Sequence, residues 1–64
     1  MPLDYSELAS IAESVDALNR RIGKMGDASK AQKDDDVAAE LYAAERALAG
    51  AARRLHRLIR ATRR

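Results

Sequence analysis

The sequence has no cysteine, no phenylalanine and no tryptophan, and only one proline and three glycines among its 64 residues. Without cysteine there are no disulfide frameworks, thiolate metal sites or cysteine nucleophiles, which accords with a reducing cytoplasm. Two tyrosines are the only aromatic residues, and there is no Phe or Trp for base stacking. No apolar run approaches the roughly 18 residues of a membrane span, and Asp4 and Glu7 stand where a signal peptide would be basic. The expectation is a cytoplasmic protein with no membrane span. Strong breakers are confined to Pro2, Gly23, Gly26 and Gly50, and β-branched residues are few. An all-α chain follows.

What the sequence holds in quantity is alanine: 14 of about 30 apolar residues, leaving 16 larger ones, a thin core for a monomer. Asp4 and Glu7 have the spacing of a capping box, with Leu3 and Leu8 placed as a hydrophobic staple. Leu8, Ile11, Val15, Leu18, Ile22 and Met25 then recur at intervals of 3, 4, 3, 4 and 3, a heptad seam with Leu8 at a and Ile11 at d. Gly26 suits a left-handed cap, so a first helix is expected over about 4–25 and a turn over about 26–30. Ser29 to Gln32 repeats the capping signal, and Asp34, Asp35 and Asp36 favour the positive end of a helix dipole. Val37, Leu41, Ala44, Leu48, Ala51, Leu55 and Leu58 carry a second seam through a helix of about 31–62.

A short connection folds these helices into an antiparallel hairpin, one domain over 1–64. Placing Ile22 opposite Val37 makes each a face a d, with facing residue numbers summing to 59, and pairs Arg21 with Glu40 and Glu7 with Arg54. The neighbouring e and b positions form a second, small-residue stripe: Tyr5, Ala9, Ala12, Ala38, Tyr42, Ala49 and Ala52. These seven are the expected interface of a homodimer, a four-helix bundle, because a lone hairpin buries too little to offset an ordering cost of about 1.5 kcal/mol per residue.

Charge is uneven. Residues 53–64 carry six arginines and no acid, whereas residues 1–52 sum to −4. In the register above, about ten of these residues overhang the first helix. Arg53, Arg57, Arg60, Arg63 and Arg64, with Leu55, Leu58 and Ile59, are the candidate partner-binding residues. Three explanations compete: helix-dipole neutralisation with pairing to Asp4 and Glu7, phosphate contact with a nucleic acid, and docking on an acidic protein or anionic lipid surface. The acidic protein partner leads and nucleic acid is the alternative.

No catalytic set is assembled. His56, the only histidine, is surrounded on its own helix by Arg53, Arg57 and Arg60, the reverse of a carboxylate-oriented base. Neither an E-x-x-H pair nor a glycine-rich phosphate loop occurs. The three successive aspartates point in three directions on a helix and make no preformed cage. The expectation is a non-enzymatic assembly module with no cofactor, metal or small-molecule substrate.

Overall fold

The computed structural model describes residues 3–62, which form two helices packed against each other, α1 (Tyr5–Ala31) and α2 (Asp35–Thr62). Asp4 opens α1 as its spacing requires: its backbone is extended and its Oδ1 accepts the Glu7 N–H at 3.0 Å. The expected stop at Gly26 is not used. No glycine has positive φ, and α1 continues to Ala31. It ends in a Schellman arrangement in which Asp34 N–H donates to Ser29 C=O and Lys33 N–H to Lys30 C=O, each at 2.9 Å. Lys33 takes the left-handed position, φ 64°, that glycine usually fills. The turn therefore lies at 32–34 rather than about 26–30, and Ser29 closes α1 instead of opening α2. Asp35 and Asp36 do sit in the first turn of α2.

The helices close on a different face from the one hydrophobicity selects. Leu8, Ala12, Ala38 and Ala52 are buried, as are Gly23 and Gly26. In heptad terms the contact is centred on the e column, with a and b beside it, a rotation of roughly 70° from the a/d seam at 100° per residue. The d residues Ile11, Leu18, Met25, Val37 and Leu58 keep between 42% and 59% of their surface. Glycine leaves room along this face for side chains reaching across from α2. A Cβ built on Gly26 would stand 2.9 Å from the Tyr42 ring, and one on Gly23 would stand 2.5 Å from the Glu45 carboxylate. Both glycines are thus docking surface inside a helix, not terminators.

These contacts also correct the register. Gly26 faces Tyr42 and Gly23 faces Glu45, so facing numbers sum to 68 instead of 59. Further along the seam Asp16 reaches His56, one helical turn on from that register. With helices of 27 and 28 residues paired this way, residues 53–62 run alongside the first half of α1, and the expected overhang is absent. The longest dimension, 47 Å, fits one helix length of about 42 Å plus side chains. Among the described residues neither Arg21–Glu40 nor Glu7–Arg54 forms an ion pair, because the shift separates them.

Candidate interaction surfaces

Two outward surfaces follow from that rotation. Because the helices are antiparallel, their a and d columns fall on one side of the hairpin and their b and f columns on the other. On the first side Val15, Ile22, Leu41, Leu48 and Leu55 are half-buried, and the d residues beside them are exposed. Both expected heptad seams thus lie next to each other as a single aliphatic face. On the second side Arg46, Arg53 and Arg60 share the f column, with Arg57 one position round at c, and all four are exposed. A shallow depression of about 290 Å³ is lined by Arg53, His56, Arg57 and Arg60.

The expected dimer residues are largely used within the chain. Ala12, Ala38 and Ala52 are buried between α1 and α2, and Tyr42 and Ala49 are half-buried, while Tyr5 and Ala9 are exposed. Small side chains suit a tight intrachain seam, which takes Ala12, Ala38 and Ala52 out of a partner's reach. Of the expected partner-binding set, Arg53, Arg57 and Arg60 are exposed, Leu55 and Ile59 are half-buried, and Leu58 lies on the aliphatic side. Arg63 and Arg64 fall outside the described residues. The expected pairing of Arg53, Arg54 and Arg57 with Asp4 and Glu7 is not made among the described residues.

Polar side chains pin the seam at each half. His56 Nε2 lies 3.0 Å from Asp16 Oδ2, so the histidine has a carboxylate partner that its own helix does not offer. Only the corrected register reveals it. No hydroxyl is hydrogen-bonded to His56 among the described residues. Near the turn, the Tyr42 hydroxyl donates to Asp27 Oδ1 at 2.6 Å. That bond pushes the Tyr42 pKa up from its usual value, with desolvation and the charges of Asp27 and Glu45 adding to it. Between the two pins, the Asn19 Oδ1 atom is buried without a protein partner.

Among the described residues no helix is long and apolar enough to cross a membrane. Comparison with known protein families, with curated proteins and with solved structures finds no match to this chain.

Proposed function

We propose that this chain is a non-enzymatic assembly module. Two hairpins pair through their a/d faces into a four-helix bundle and present the arginine sides outward to an anionic partner. The carrying observation is the aliphatic face left in solvent once the helices have closed on smaller residues. The accessible surface is 5200 Å², against roughly 4,000 Å² for a compact monomer of this 7.0 kDa mass. That excess exceeds the roughly 800 Å² per partner of a standard interface. Covering the face would also collect the burial energy of large side chains, about 1.5–3 kcal/mol each when complete.

Charge favours an antiparallel pair of hairpins. The end opposite the turn holds Arg53, Arg54, Arg57 and Arg60 against Asp4, Glu7 and Glu13, while Asp27, Asp34, Asp35, Asp36, Glu40 and Glu45 outnumber the three lysines near the turn. Setting the turn of one copy beside the arginines of the other brings opposite signs together.

Light scattering tests the assembly and should report about 14 kDa, twice the chain mass of 7.0 kDa. Leu18→Glu should abolish that species, since Leu18 is 49% exposed in the hairpin alone but central to the proposed interface. A folded monomer at micromolar concentration, indifferent to Leu18→Glu, would falsify the proposal.

A further inference from the structure

We infer that the arginine side of α2 is a phosphodiester-backbone site, so that the anionic partner is a nucleic-acid strand held without sequence readout. This deepens the interaction-module reading and does not depend on dimerisation. Arg46, Arg53, Arg57 and Arg60 lie within fifteen residues of one helix, fourteen rises or about 21 Å, and all are exposed. Among the described residues no carboxylate lies within ion-pair distance of any of them. Of the α1 acids at the same end of this side, Asp16 is engaged by His56, and Glu13 makes no ion pair with these arginines among the described residues. Three of these guanidinium groups and the His56 ring line one depression, and the planar guanidinium matches phosphate oxygens bidentately.

An acidic protein would need more than this surface offers. Stable protein interfaces have an apolar core surrounded by polar contacts. Leu55 and Ile59, which could have served as anchors on an overhanging helix, are half-buried in the hairpin, and Leu58 is on the opposite, aliphatic side. What faces outward here is cationic, and phosphate neutralisation requires only that. Tyr42 is tied to Asp27 and the chain has no Phe or Trp, so Tyr5 at the start of α1 is the one exposed aromatic ring and no row of stacking platforms runs along the arginines. Contacts restricted to the backbone position a strand but carry no sequence information.

Fluorescence anisotropy with a labelled DNA duplex of about 20 base pairs, a polyuridine RNA of similar length and polyglutamate decides the matter. Three phosphate contacts predict that affinity falls about 40-fold for the duplex and about 20-fold for the single-stranded RNA between ~50 and ~200 mM salt. The Arg53→Ala, Arg57→Ala, Arg60→Ala triple variant should reduce the slope of log affinity against log salt by about 2.7 on the duplex and about 2.1 on the RNA, and a triple lysine variant should restore most of it. Removing the same charge elsewhere, with Lys24→Ala, Lys30→Ala and Lys33→Ala, should change affinity by less than about threefold. The alanine triple is placed on the exposed side and should keep its circular dichroism; an Arg→Gln triple serves if it does not. Equal losses in the two alanine triples, no binding at ~50 mM salt, or tighter binding of polyglutamate than of either nucleic acid would overturn the inference. Tighter polyglutamate binding would assign the side to acidic proteins. Light scattering on the same samples separates the two proposals: a dimer that fails to bind sinks only the backbone site, and a monomer that binds sinks only the bundle.

Discussion

Ala12, Gly26, Ala38 and Ala52 meet across the seam of the hairpin, while Leu18, Met25, Val37 and Leu58 stand in solvent on the face beside it. Transfer energy alone would have reversed these places, since each large side chain gains more on burial than an alanine does. Two helices, however, touch along one narrow line. Small residues there let the backbones approach closely and gain dispersion contacts along the whole length. Larger side chains would hold the axes at the usual 8–10 Å. The comparison teaches that one chain can divide its apolar residues by size, using small ones to close a hairpin and keeping large ones for another surface.

Adjacent substitutions offer the strongest attempt to break that division. Ala52 is buried in the seam and Ala51 is exposed on the d column. Ala52→Glu should cost about 3 kcal/mol or more, because it places an unpaired charge between the helices whatever the oligomeric state. Urea titration followed by circular dichroism measures it. Ala51→Glu in a lone hairpin should stay within about 0.5 kcal/mol. In the proposed bundle it should instead weaken assembly and alter the dependence of Tm on protein concentration. Equal and small effects at both positions would mean the seam has been misplaced.

Glycine sharpens the contrast with effects of intermediate size. At Gly50 an added Cβ meets only the Arg53 guanidinium, at 3.8 Å, so Gly50→Ala should stabilise by about 1 kcal/mol through helix propensity. At Gly26 the same methyl meets the Tyr42 ring at 2.9 Å, so the propensity gain is opposed by overpacking of about 1–3 kcal/mol. Opposite signs in thermal melts are expected. A stabilising Gly26→Ala would show that the helices are further apart than the seam requires.

The same distinction explains how far the sequence could be read. The helical period, the Asp4 cap and the antiparallel hairpin were legible because they depend on local chemistry and a short connection. The end of α1 was not legible. Gly26 resembles a terminator by propensity, whereas its use is tertiary, and Lys33 occupies a left-handed position that favours glycine. Once the turn is placed near 26–30 instead of 32–34, the register shifts and residues 53–62 are read as overhanging α1, although they run alongside it. Apolar a, d and e columns together cover too wide an arc for periodicity to choose the contact line. The exposed arginines were legible, since their grouping is a property of the sequence; the Asp16–His56 contact was not, since it joins two helices.

The smallest expected effect tests whether the tight half of the seam is pinned as well as packed. The Tyr42 hydroxyl donates to Asp27, and this bond, followed by desolvation and nearby negative charge, raises its pKa. A raised tyrosine pKa means that the neutral phenol is the form the fold favours. The contribution to stability is therefore fully present below the ordinary value of about 10 and is lost as pH rises through the higher folded value. In a Tyr5→Phe background, where Tyr42 alone reports, the phenolate absorbance should appear above that ordinary value. Asp27→Asn should move it down and flatten the alkaline fall of Tm over the same interval, because the amide accepts a hydrogen bond without the carboxylate charge. Helix propensity hardly separates Asp from Asn, so the titration isolates the pin from the helix that carries it. If Asp27→Asn leaves the titration where it was, the hydroxyl is not held by this carboxylate in solution. The close approach of Gly26 to Tyr42 would then be maintained by packing alone.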